Sequence, residues 1–136
     1  MEFKNVIIGV LSAVGSGIAW ACGGWDTGMQ TLIIFMAIDY ILGLIVAVHG
    51  KSGKTETGVL DSRAGLKGIL KKISMLLAVV LGASADRVLG TDGFSRTAVI
   101  LFFCANEGLS VVENLALIGV PFPEKVKEKL EQLKND

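Results

Sequence analysis

Four acids stand inside apolar runs of this sequence: Asp39, Asp86, Glu107 and Glu113. A carboxylate surrounded by hydrocarbon is costly, so such groups turn toward a bundle interior or toward water, and they mark a working surface. The chemistry open to them is the passage of a proton or ion, or hydrogen bonding at an interface that changes during assembly. Around the last pair, further polar residues gather. At about 100° per residue, Asn106, Glu107, Ser110, Glu113 and Asn114 share one arc about 120° wide, opposite Val99, Ile100, Phe102, Leu109 and Val112. The Leu, Ile, Val and Phe residues of this run favour insertion by roughly 5 kcal/mol in total, while two glutamates cost about 2.5 to 3.5 kcal/mol each. The run therefore needs partners or water along its polar stripe. Two arrangements fit: the stripe and Asp39 satisfy one another in a dry bundle, or they line an aqueous path or an assembly interface. No Lys or Arg falls inside the apolar runs to pair with these acids, apart from Arg87 at one edge.

No nucleophile, base and orienting group assemble, so no catalytic residues are assigned and an enzyme is not expected. His49 stands alone as an interfacial residue. Cys22 and Cys104 are too few and too far apart for a disulfide scaffold or a Cys-based zinc site, and read as buried, inert thiols. Neither a metal nor a cofactor is expected. A formal net charge of +0 removes the basic field that a nucleic-acid partner would need.

The elements that must position the acids are long. Of 136 residues, 51% are hydrophobic and 19% charged, and the charges collect in the gaps between apolar blocks. Four blocks, about 5–22, 28–48, 73–89 and 97–120, each approach the ~20 apolar residues of a bilayer crossing. Four helices apolar nearly all round cannot share one small soluble core. The expectation is an all-α, multi-pass integral membrane protein: a transmembrane helical domain over 1–120 and an amphipathic tail over 121–136, with the lipid bilayer as its first partner. Lys4, the lysines and Arg63 of the central loop, and the four lysines of the tail lie on one side. Arg87 and Arg96 are alone on the other. The positive-inside bias puts both termini in the cytoplasm, with Trp20 and Trp25 near the opposite face. A cleaved signal, ending at Ala19-Trp20-Ala21 before Cys22, is a weaker reading because Glu2 offsets Lys4.

Gly9, Ala13 and Gly17 form a small-xxx-small run that lets helices approach closely, within one chain or between copies in a homo-oligomer. The central loop reads either as a solvated connector or as a short amphipathic helix capped by Asp61 or Ser62, with Leu66, Ile69 and Leu70 on its apolar side. Pro121 and Pro123 end the fourth block. Val126, Leu130 and Leu133 then fall at helical spacing, as in a membrane-surface or self-associating helix.

Several of these features recur together. Asp39, Gly43 and Ala47 come first, then Ser62, Gly65 and Lys71-Lys72, then Asp86. Glu107-Gly-Leu-Ser110-x-x-Glu113-Asn114 follows, with Gly119-x-Pro121-x-Pro123 and a charged helix after it. Over roughly residues 30–134 this resembles the bacteriophage holins of the toxin-secretion and phage-lysis type. The resemblance implies a protein that accumulates in the bacterial cytoplasmic membrane and oligomerises into lesions at a set time. It also implies a functional partner, an endolysin or an exported toxin, released through those lesions. Rival readings are a small ion or proton channel or transporter using Asp39 and Glu107 as a relay, and a non-permeating membrane anchor for a cell-wall protein. A holin passes folded proteins, a channel passes ions, and an anchor passes nothing.

Overall fold

The computed structural model of the chain describes residues 2–55 and 57–135; Met1, Glu56 and Asp136 lie outside it. Among the described residues the fold is all-α, with five helices: α1 (Glu2–Ala21), α2 (Thr27–Val48), α3 (Ser62–Leu89), α4 (Phe94–Leu117) and α5 (Glu124–Asn135). The first four are long and apolar enough to cross a membrane. Short turns at residues 22–26 and 90–93 join α1 to α2 and α3 to α4 at one end of the bundle. Residues 49–55, 57–61 and 118–123 form its other, loop-bearing end.

Local chemistry sets the helix ends. Asp26 caps α2 by accepting from the Met29 amide at 3.0 Å, and Asp61 caps α3 by accepting from the Arg63 amide at 2.9 Å. Gly90 closes α3 in the left-handed region (φ 67) that glycine enters without a Cβ penalty. Asp61 does cap a helix, but not a short separate one. Capping there starts α3 itself, so the third helix opens at Ser62 rather than near Ile73 and runs about 42 Å at 1.5 Å per residue.

α4 is the centre of the bundle, with α2, α3 and α5 all packed on it. Its core contacts are Met29, Leu32 and Met36 of α2, Met75 and Val79 of α3, and its own Ile100 and Cys104. The α3–α4 crossing is close at Gly82, where an added Cβ would stand 3.2 Å from the Arg96 backbone. α5 doubles back along α4, and its Leu130 seats on Gly108, where a Cβ would meet that side chain at 3.1 Å. The tail is therefore a helix, as its spacing predicts, but one docked within its own chain.

α1 stands apart. Among the described residues it touches only α3 and has no buried residue. Gly9 and Gly17 have nothing within 4 Å of an added Cβ, so the small-residue face of Gly9, Ala13 and Gly17 is unpacked in the single chain. The anchor of α1 lies at the turn end: the Arg87 guanidinium donates to the Trp20 carbonyl and lies 4.3 Å from the Trp20 ring centroid.

Candidate functional site

Three helices bring three ionisable side chains to one point beside the core. Asp39, midway along α2, and Glu107, midway along α4, are both buried. Between them lies Lys72 of α3, whose Nζ donates to Asp39 Oδ2 at 2.7 Å and to Glu107 Oε2 at 2.5 Å. The absence of a cation inside the spans, expected from the sequence, does not hold. Because α3 starts eleven residues before Ile73, Lys72 belongs to the bundle, and its four-carbon stem carries the ammonium to the acids. Charges removed from water need both a counter-charge and further hydrogen bonds. Asn114 supplies one of the latter, donating from Nδ2 to Asp39 Oδ1 at 3.2 Å.

The polar stripe of α4 divides around this triad. Glu107 and Asn114 are buried at it, while Asn106 and Ser110 are half-buried beside it. Glu113 is exposed and forms no ion pair among the described residues. All but Asn114 line a cleft of about 290 Å³ that opens from the triad toward the loop end. The upper wall of the cleft is built on glycine. Tyr40 of α2 lies over Gly65 and Gly68 of α3, its ring 3.7 Å and its hydroxyl 3.4 Å from where Cβ atoms would stand. Lys54 and Asp61 from the loop, Lys71 from α3 and Lys134 from α5 also line the cleft.

Asp86 is not part of this group. It sits at the turn end, where α4 begins without a side-chain cap of its own. Its Oδ1 accepts from the Ser95 amide at 2.9 Å and from Thr91 Oγ1 at 2.6 Å, and its Oδ2 accepts from the Arg96 amide at 2.9 Å. A carboxylate from α3 thus caps α4 from across the turn, where the free amides and the helix dipole favour an anion.

Arg96, read from the sequence as a mere charge of the outer loop, is buried beside that cap. Its guanidinium grips Asp26 in a fork, Nη1 to Oδ2 at 2.7 Å and Nη2 to Oδ1 at 3.0 Å, and also donates to the carbonyls of Cys22 and Gly24. The fork holds the Asp26 carboxyl at about 2, below its usual range. This end is a clasp tying the α1–α2 turn to α4. Hydropathy alone passed over Lys72 and Arg96; acids without partners in apolar runs were the available signal that nearby basic residues must turn inward.

Among the described residues no three His, Cys, Asp or Glu side chains gather as a metal site would need. The triad can hold helices together or receive a further cationic group from the cleft.

The profile of the bacteriophage holin family matches residues 16–135. An uncharacterised 14.9 kDa protein of Clostridium perfringens is 40% identical, covering 96% of this chain and 95% of that one. An uncharacterised Bacillus subtilis protein, YqxH, is 34% identical over 79% of this chain and 72% of its own. A probable holin of Bacillus phage phi105 is 32% identical over 79% of this chain and 75% of its own. No solved structure matches the chain.

Proposed function

The chain belongs to the bacteriophage holin family, and from that premise we propose that it permeabilises a bacterial cytoplasmic membrane by assembling with further copies of itself. The resulting lesions release a cell-wall hydrolase or a toxin that has no signal of its own. The observation that carries this reading is the family match, which takes in α2 to α5 and the end of α1. It fits a multi-pass membrane protein whose chemistry-bearing groups face a bundle interior. In this reading the protein acts by assembly and is not an enzyme.

Both termini are assigned to the cytoplasm. The loop-bearing end carries Lys54, Lys71 and Lys134, and such an excess of basic residues stays on the cytoplasmic side. Arg87 and Arg96, at the other end, are both engaged in local contacts. The unpacked small-residue face of α1 supports self-association, because close backbone approach is what such faces permit between helices in lipid.

The test is expression from a tight inducible promoter in bacteria together with a cytoplasmic endolysin lacking a signal, following membrane potential and culture density. The expected result is a delay, then abrupt depolarisation and lysis that depends on the endolysin. Depolarisation without lysis would replace the reading with a narrow ion channel. A flat trace, with the protein present in the membrane, would replace it with an anchor.

A further inference from the structure

The cleft beside the triad has an acidic floor and, toward its mouth, three lysines standing with two acids, Asp61 and Glu113. On the floor, the carboxylates of Asp39 and Glu107 share the single ammonium of Lys72. Asp39 has both oxygens engaged, by Lys72 and by Asn114. Glu107 does not. Its side chain is only 3% exposed, Oε2 takes Lys72, and Oε1 takes no hydrogen bond from the described residues. Yet no fully buried polar side-chain atom among the described residues lacks a partner. Oε1 therefore faces the open space of the cleft that Glu107 lines. An acid oxygen so nearly desolvated calls for a donor, and a second cation would balance the second acid.

Toward the mouth the lysines outnumber the acids by three to two, so on balance the rim calls for the opposite charge. Lys54, Lys71 and Lys134 line the mouth, and among the described residues none of them is in an ion pair. Leu60 and Leu109 add apolar wall to the same cleft. The order of groups, from the floor outward, is an acceptor for an ammonium and then donors for a phosphate.

We propose that this cleft binds the headgroup of an aminophospholipid, its primary ammonium donating to Glu107 Oε1 and its phosphate meeting Lys54, Lys71 and Lys134. The acyl chains then leave toward the bilayer. A trimethylated ammonium has no N–H to donate, and a headgroup without an amine leaves Oε1 unpartnered. On the floor a metal ion would find only Asp39 and Glu107, both already bridged by Lys72, and among the described residues no three His, Cys, Asp or Glu side chains gather as ligands. The site is independent of whether the protein forms lesions; it requires only that the bundle sit in a membrane.

The test uses the full chain purified in dodecyl maltoside, titrated with dihexanoyl phosphatidylethanolamine, phosphatidylcholine or phosphatidylglycerol, or with free phosphoethanolamine. Bound adducts are counted by native mass spectrometry. One phosphatidylethanolamine per chain should bind at least tenfold more tightly than the choline or glycerol lipid. Lys54→Gln combined with Lys71→Gln, both at exposed positions, should weaken it at least tenfold. Glu107→Gln should abolish the preference for ethanolamine over choline; if that variant fails to fold, the lysine pair carries the test. Equal binding of the ethanolamine and choline lipids, or full affinity in the lysine double variant, overturns the proposal. Lipid binding more tightly than free phosphoethanolamine places the source in the membrane, whereas equal binding places it in solution with the same site chemistry.

Discussion

Lys72 Nζ lies 2.5 Å from Glu107 Oε2, across 35 residues of sequence. The contact joins the start of the third crossing to the middle of the fourth, and the same ammonium also holds Asp39 of the second. One side chain thus ties together α2, α3 and α4, of which α2 and α3 otherwise meet little.

Removing that ammonium leaves two buried acids facing each other. Lys72→Gln should destabilise the bundle by about 3–5 kcal/mol, the usual cost of stranding a buried charge. Unfolding titrations in mixed micelles would measure it. Adding Asp39→Asn and Glu107→Gln to the same chain should restore most of the loss, because the uncompensated charges go with their partner.

The two glutamates of the α4 stripe should behave differently. Glu107→Gln loosens the triad and should shift the time of lysis after induction while leaving membrane insertion intact. Glu113 is exposed and unpaired among the described residues. Glu113→Gln should therefore change stability by no more than about 0.5 kcal/mol and leave the timing close to that of the parent. Lysis curves and membrane fractionation of the two variants, side by side, would check this.

Asp86→Ala removes the carboxylate that serves the Ser95 and Arg96 amides. Lost helix caps cost about 0.5–2 kcal/mol, and Gly93 (φ 83) at the start of α4 has no side chain to offer as a substitute. Hydrogen exchange should rise at residues 94–97 and remain unchanged around Lys72.

Acid should open the turn end through Asp26. Its carboxyl is held at about 2 in the fold, against 3.8 as the ordinary value, chiefly by the Arg96 hydrogen bonds. A lowered folded value means that this contribution is fully present above about 4 and is lost as the pH falls toward 2. Thermal midpoints measured from pH 5 to pH 2 should fall less steeply in Asp26→Asn, whose midpoint should already be lower at pH 5.

Gly108→Leu places a side chain where Leu130 and Phe35 already stand, at 3.1 and 3.3 Å from the Cβ position. The surface helix should yield before the core does, so α5 should undock while α2–α4 hold. Limited proteolysis in micelles should then cut within residues 124–135 at least several times faster than in the parent. An unchanged rate would mean that Leu130 does not fasten the tail.

How much of this was legible beforehand depends on how local each cause is. Crossing number, the polar face of α4, the cap at Asp61 and the break at the prolines all follow from runs, periodicities and neighbours within a few residues. Hydropathy could give Lys71 and Lys72 only a place at the edge of the third run, because it scores a lysine by composition and not by the reach of its stem. The continuity of α3 from Ser62 and its packing on α4 put that ammonium between acids 33 and 35 residues away. The same dependence on packing separated Asp86 from Asp39 and Glu107, although all three look alike as membrane acids in the sequence: one meets free helix amides, the others a cation. It also turned Arg96 inward and laid α5 on Gly108. Residue type and spacing determined that charge would have to be buried here, and only the assembled helices decided which partner each charge would find, since desolvated groups are satisfied by what stands within a few ångströms and not by what is near in the chain.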